Sequence, residues 1–276
     1  MKFSPFLFLS VAALTLAGCS ANEVDLESRS INVQQTAQPA GGGPLAPDMA
    51  NLVGQVGPSY VTLTVSTVSD KTEGKARDNT SPLTSGSGFV VDSAGYVMTA
   101  GHVAVKTGNL VSARAANGRV YSGSVVGILP SHDMALIKLR GFKGHSAVPV
   151  ANGCLAKGAT LFSLGKPHAQ GDTARFGTVE SMSFGRAVQY GKFGYPDAMV
   201  MRMSTQKGES GGPVFDGKGK LAGMVVSTLS DGNGNPINLA HAVPAKDLAS
   251  FLCSQLACTG EWQVLARQAT GGCPAI

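Results

Sequence analysis

The sequence predicts an all-β protein whose short strands form barrels or sandwiches. Glycine accounts for 36 of 276 residues, about 13% where ~7% is typical. Charged residues make up only 14%, against a usual ~25%, which argues against a disordered charged chain or a coiled coil. Short apolar runs are separated by Gly, Pro, Asn, Asp or Ser throughout the chain. Many short strands bounded by turn residues are typical of these two architectures.

The alternation of apolar and polar residues is clearest between Val61 and Val65, where threonines separate the apolar residues. A half-buried strand is expected there. Further runs predicted as strands cover residues 88–91, 96–99, 110–113, 119–126, 135–139, 160–164, 175–183, 198–203, 221–227 and 238–243. One helix follows Pro244, because Leu248, Leu252 and Leu256 fall on one helical face. Residues 69–85 and 230–236 are predicted as mobile loops.

Residues 1–18 predict an export signal. Lys2 precedes an apolar run that is too short to span a bilayer. The run ends in Leu-Ala-Gly-Cys19, which resembles the lipobox of bacterial lipoproteins. That resemblance implies a lipid anchor on Cys19 in the bacterial cell envelope. Because Ser20 and not Asp follows, it also favours the periplasmic face of the outer membrane over the inner membrane. An ordinary secretory signal with an incidental cysteine is the alternative.

Residues 19–48 are predicted as a flexible tether, because residues 35–47 are rich in Pro, Gly, Ala and Gln.

Four cysteines remain besides Cys19, and an even number in an exported protein predicts two disulfides: Cys154, Cys253, Cys258 and Cys273. All three possible connectivities among these cysteines are open. Metal binding is disfavoured, because no histidine stands at ligand spacing near them; free buried thiols are the other alternative. Three of the four lie beyond residue 250, which favours a cross-linked C-terminal tail, residues 257–276.

Three segments carry the chemistry. They are GSGFVV leading to TAGH, which ends at His102; HDMALIKL, which contains Asp133; and GESGGP, which contains Ser210. In this order they resemble the trypsin-like serine proteases, and most closely the HtrA/Deg branch, over about residues 50–250. The resemblance implies two six-stranded antiparallel β-barrels, about 49–145 and 155–245, with a C-terminal helix closing the domain (49–256).

The resemblance assigns a catalytic role to each residue type. A serine hydroxyl is a weak nucleophile and needs a base. His102 would take the Ser210 proton, and Asp133 would fix the imidazole tautomer. The backbone N–H groups of Gly208 and Ser210 would form an oxyanion hole, with no metal or other cofactor. Glu209, which stands where trypsin has Asp, is expected to pair with a nearby cation, Lys207 being one candidate.

The substrate pocket is also inferred from the resemblance. Trypsin has an Asp six residues before its nucleophile, but here that position is Ser204, so a basic P1 residue is not expected. The other predicted pocket residues are Met224, Val225, Val226, Ser227, Ala240 and His241. Their bulk predicts a shallow apolar pocket for small or medium P1 residues such as Ala, Val or Ile. An acidic P1 residue becomes an alternative if His241 lines the pocket.

The resulting prediction is a lipid-anchored extracytoplasmic serine endopeptidase whose partners are protein or peptide substrates. A proteolytically inactive binding or chaperone-like module on the same fold is the alternative, because fold does not guarantee activity. The net charge is +5, without a dense basic run and with 6% aromatics, so no nucleic acid is expected. About 20 residues follow the closing helix, too few for the PDZ domain usual in HtrA proteins, so no PDZ ligand is expected.

Overall fold

A computed structural model describes residues 31–35, 48–67, 82–168 and 171–268. The predicted signal peptide, Cys19, Cys273 and most of the predicted tether lie outside these residues. None of the helices in the described ranges has both the length and the hydrophobicity that crossing a bilayer requires.

The described chain is built mainly from strands. In chain order its strands and α-helices are β1 (Asn32–Gln35), α1 (Asp48–Val56), β2 (Tyr60–Ser66), β3 (Pro82–Val90), β4 (Tyr96–Ala100), α2 (Gly101–Ala104), β5 (Leu110–Ala115), β6 (Val120–Leu129), β7 (Met134–Leu139), β8 (Thr160–Gly165), β9 (Thr173–Ser181), β10 (Val188–Tyr190), β11 (Phe193–Tyr195), β12 (Met199–Arg202), β13 (Pro213–Asp216), β14 (Leu221–Ser230), β15 (Pro236–Pro244), α3 (Ala245–Gln255) and α4 (Gly260–Gln268). Short 3₁₀ turns cover Gly57–Ser59 and Pro130–His132.

Strands β2 to β7 form the first barrel. It closes in the order β2-β3-β4-β7-β6-β5, because β2 pairs with both β3 and β5. The alternation read from the sequence is visible in β2, where Val61, Leu63 and Val65 are at most 1% exposed and point into the barrel. Each apolar side chain buried in this way contributes about 1.5–3 kcal/mol to the hydrophobic driving force.

The second barrel contains β8, β9 and β12 to β15. The order β9-β12-β15-β14-β13-β8 closes through pairing of β8 with β9. Its interior includes three stacked phenylalanines, Phe162, Phe176 and Phe215, with ring centroids 5.3–5.7 Å apart. The structure therefore has two closed six-stranded antiparallel barrels followed by helices, which confirms the predicted fold class.

The structure also differs from the sequence-based predictions in several elements. Asn32–Gln35 lies within the predicted tether, but it pairs in parallel with β9, so the prediction is wrong at these four residues. The first part of the predicted loop 69–85 lies outside the described residues, and its last four residues begin β3. Gly260–Gln268 is helical, where only a tail was predicted, because Trp262 and Leu265 bury one face. The bond between Cys253 and Cys258 joins the end of α3 to the segment before α4.

Candidate active site

The pairing of β4 with β7 brings His102 and Asp133 together. Ala100, the last residue of β4, lies opposite Met134, the first residue of β7. His102 follows β4 in the short helix α2, and Asp133 precedes β7 with a left-handed backbone (φ +48°), which Asp tolerates better than most residues. The Gly101 N–H donates to the Asp133 carbonyl at 2.9 Å and fixes this junction.

The Asp133 carboxylate is completely buried and receives a hydrogen bond at each oxygen. His102 Nδ1 lies 2.8 Å from Oδ2, and the His102 backbone N–H donates to Oδ1 at 2.8 Å. A carboxylate only accepts hydrogen bonds, so the ring proton belongs on Nδ1 and the lone pair on Nε2. The His102 side chain is 28% exposed, which leaves that lone pair accessible from outside.

A third donor, Tyr190, reaches the same carboxylate and was not predicted. Its hydroxyl donates to Asp133 Oδ2, and its ring meets the His102 ring edge-on at 5.7 Å. Burial and the neighbouring Asp133 raise the pKa of Tyr190, so the hydroxyl keeps its proton and stays a donor. Tyr190 belongs to the β10–β11 hairpin, which extends from the second barrel onto the first and is held there by Lys192 Nζ on the Val105 carbonyl.

Ser210 lies in the turn between β12 and β13, and backbone contacts attach this turn to the first barrel. The Ser87 N–H donates to the Ser210 carbonyl at 2.9 Å. Gly211 has φ +82°, and a Cβ there would lie 2.9 Å from the Ala100 nitrogen, two residues before His102. The turn is therefore packed beside the end of β4. Among the described residues, no hydrogen bond joins the Ser210 hydroxyl to His102.

Gly208 supplies the backbone conformation that this turn requires. Its φ is +98°, and a Cβ would collide with the Lys166 carbonyl and lie 2.6 Å from His168 Cδ2. The Ser87 hydroxyl donates to the Gly208 carbonyl at 2.9 Å and orients that peptide. Neither the Gly208 N–H nor the Ser210 N–H donates to another group in the described part of the chain, so both amides are available to an oxyanion.

Glu209 is paired with a cation, but Lys207, the candidate considered from the sequence, is the wrong one. Its Oε1 lies 2.5 Å from Arg175 Nε, and Oε2 accepts from the Gln206 N–H at 2.7 Å. The side chains of Glu209 and Arg175 are 2% and 3% exposed. Burial raises the pKa of Glu209, and the guanidinium opposes that shift. The pair fixes the turn before Ser210 to β9, whereas Lys207 is exposed.

The predicted pocket residues separate into two groups. Met224, Val225, Val226 and Ala240 are at most 3% exposed, and Ser204 is half-buried. A cavity of about 440 Å³ lies beside the second barrel, and none of these five residues lines it. Two predicted residues, Ser227 and His241, do line it. The other lining residues were not predicted and include Phe184, Arg186, Tyr195 and Thr228. Of the predicted set, therefore, the structure brings only Ser227 and His241 to this cavity.

A comparison with protein families finds a match over the segment that contains the candidate site. Residues 86–224, which span His102, Asp133 and Ser210, match the family described as the trypsin-like peptidase domain. The chain belongs to the trypsin-like peptidase family. The match covers β4, α2 and β7, which hold the imidazole and the carboxylate, together with the turn that holds Ser210.

Curated relatives of this trypsin-like chain carry the HtrA-type name DegP. It is 32% identical over 175 residues to the periplasmic serine endoprotease DegP of Salmonella typhimurium, covering 62% of this chain and 35% of the relative. It is 30% identical over 165 residues to a probable periplasmic serine endoprotease DegP-like protein of Bartonella henselae, covering 59% and 32%. The chain thus spans about a third of the length of these relatives.

Among solved structures, the HtrA-type protease AlgW with a tripeptide has a similar fold. The TM-score is 0.63 at 23% identity, and the match covers 75% of this chain and 63% of that one. At this identity the likeness concerns the fold. In the described ranges, no cluster of His, Cys, Asp or Glu could hold a metal ion.

Proposed function

We propose that this protein is a serine endopeptidase of the bacterial cell envelope, with His102, Asp133 and Ser210 as its catalytic residues. The observation that carries the proposal is the buried Asp133 carboxylate on His102 Nδ1, beside the turn that presents Ser210. A fixed tautomer with a free Nε2 lone pair is what a general base requires.

In the proposed reaction, Ser210 Oγ attacks the peptide carbonyl and His102 Nε2 takes the hydroxyl proton. Asp133 stabilises the resulting imidazolium. The N–H groups of Gly208 and Ser210 bind the oxyanion, and one such donor contributes about 3 kcal/mol to transition-state stabilisation. His102 then returns the proton to the leaving amine, which breaks the C–N bond and leaves an acyl-enzyme. Water attacks the ester with the same base, releasing the acid and restoring Ser210.

We also propose that the protein is held at the membrane by lipid on Cys19, following an 18-residue signal peptide. The lipobox-like sequence supports this anchor, and the relatives named above are described as periplasmic. Metabolic labelling with a fatty acid should mark the wild type and not Cys19→Ala, and fractionation should place the labelled protein in the outer membrane. Equal labelling of both proteins would contradict lipidation at this residue.

The cavity has a mixed lining. The predicted apolar P1 preference depended on Met224, Val225 and Val226 as walls, and these buried side chains do not line the cavity. Ala187, Val188 and Leu229 line it together with hydroxyls, an imidazole and a guanidinium, so the lining is both apolar and polar. The preference for small or medium apolar P1 residues therefore stays a prediction.

A fluorophosphonate probe tests the catalytic proposal directly. It should label the wild type, lose the label in Ser210→Ala, and keep it in Ser112→Ala, which removes an exposed hydroxyl on β5. Loss of labelling in Ser210→Ala alone identifies the nucleophile. If the folded wild type is not labelled, the alternative of a proteolytically inactive binding or chaperone-like module on this fold is favoured.

A further inference from the structure

The cavity beside the second barrel contains a buried polar atom without a partner. His241 is 1% exposed and lines the cavity. Its Nδ1 lies 2.8 Å from the Tyr195 hydroxyl, but its Nε2 has no hydrogen-bond partner among the described residues. Leaving a buried polar group unsatisfied is unfavourable, so a ligand that pairs with Nε2 gains affinity from that hydrogen bond.

The surroundings of His241 favour Nε2 as a donor. Burial lowers the pKa of His241 to about 4, and the Arg186 charge adds to the shift while Asp197 opposes it. The ring is therefore neutral at pH 7. Burial also raises the pKa of Tyr195, which keeps its hydroxyl protonated. The Tyr195 hydroxyl also lies 2.8 Å from Ser227 Oγ. When it accepts from Ser227 and donates to His241 Nδ1, the single ring proton resides on Nε2 and points at an acceptor.

Arg186 gives the cavity a positive charge. Among the described lining residues it alone carries a full charge, with its guanidinium 4.6 Å from the Phe184 ring centroid and no hydrogen bond to a described residue. Asp197, the nearby carboxylate, does not line the cavity. It accepts from the Phe184 and Ala198 N–H groups at 2.7 and 2.8 Å, so Asp197 is occupied with its own loop.

The cavity adjoins the candidate catalytic residues through β14. The Gly211 N–H donates to the Val225 carbonyl at 2.8 Å, and Ser227 and Thr228 follow on the same strand. The Thr228 hydroxyl lies 2.6 Å from the Thr205 hydroxyl, five residues before Ser210. The strand that contributes Ser227 and Thr228 to the cavity therefore also pairs with the Ser210 turn.

We propose that this cavity is the specificity pocket for P1, the residue before the scissile bond, and that it receives a carboxylate-bearing side chain, glutamate or aspartate. His241 Nε2–H and the Arg186 guanidinium supply the hydrogen bonds, since Arg matches the geometry of a carboxylate. The proposal rests on the endopeptidase function above and names its substrate class.

Peptides that differ only at P1, with glutamate, glutamine or valine, test this pocket in the purified full-length protein. The glutamate peptide should exceed its glutamine twin in kcat/KM by about tenfold, the equivalent of one charge-assisted hydrogen bond. Arg186→Gln and His241→Phe should bring the ratio towards one. Arg119→Gln, which removes an exposed arginine outside the cavity, should leave it unchanged. A preference for valine, or a ratio unaffected by Arg186→Gln, would overturn the proposal.

A binding measurement separates the pocket from the catalysis. Fluorescence anisotropy with Ser210→Ala protein needs no turnover, and the labelled glutamate peptide should bind about tenfold more tightly than the glutamine peptide. One outcome is that the difference in binding is present, that Arg186→Gln removes it, and that the fluorophosphonate probe does not label the wild type. The pocket is then supported and the endopeptidase function fails. If the probe labels Ser210 but both peptides bind equally, the pocket proposal fails and the endopeptidase function stands.

Discussion

Replacing Glu209 by Gln should strongly destabilise the protein. The change keeps the side chain's size but removes the charge that faces Arg175, which is 3% exposed. The buried guanidinium then loses the Glu209 carboxylate, and breaking a buried pair in this way costs about 3–5 kcal/mol. For a domain of this size each kcal/mol lowers Tm by about 2–4 °C, so a decrease of about 10 °C is expected.

Thermal denaturation followed by circular dichroism measures this shift, and Glu180→Gln is the matched control. Glu180 also pairs with two cations, Lys157 at 2.8 Å and Arg202 at 2.6 Å, but on the exposed surface of the second barrel. Exposed pairs contribute little, so Glu180→Gln should leave Tm nearly unchanged. If Glu209→Gln melts as close to the wild type as Glu180→Gln does, the buried pair is not the anchor of the turn.

Three further changes test other features. Tyr190→Phe removes the hydroxyl that donates to Asp133 Oδ2 and helps to hold the carboxylate facing His102, which should lower kcat/KM by about tenfold. A kcat/KM equal to that of the wild type would contradict this positioning role. Gly211→Ala places a Cβ at φ +82° against the end of β4 and should abolish probe labelling, whereas retained labelling would contradict the close packing. Replacing Cys253 and Cys258 by Ser opens a five-residue separation and should cost about 2 kcal/mol, measured by urea denaturation; no change in midpoint would contradict this.

The parts of the site that sequence reasoning found are those whose residues form local motifs. His102, Asp133 and Ser210 each lie in a segment whose neighbours, such as the glycines around Ser210, are needed for a local turn. Such a turn requires particular residue types at neighbouring positions, so a short stretch of sequence is enough to predict it. The barrel strands were found for the same reason, since alternation is a local signal.

The parts that were missed depend on partners far apart in sequence. Tyr190 lies 57 residues from Asp133, and Arg175 lies 34 residues from Glu209, the distance in both cases being bridged only by tertiary packing. β10 and β11 have three residues each, too few to show a period, and β1 is polar apart from one valine. The family resemblance places Met224, Val225 and Val226 at the pocket, but their sequence does not reveal which face of β14 is covered.

Ser87 links the two halves of the molecule: it belongs to the first barrel, yet its hydroxyl and N–H hold the Gly208 and Ser210 carbonyls of the second. The first barrel thus contributes the proposed base but not the proposed nucleophile. The second barrel contributes the nucleophile, but the hydrogen bonds that hold its turn come from Ser87 of the first barrel. During folding, neither barrel would cut protein before the other has docked. A protease arranged in this way would not cut its own unfolded chain until both barrels have assembled.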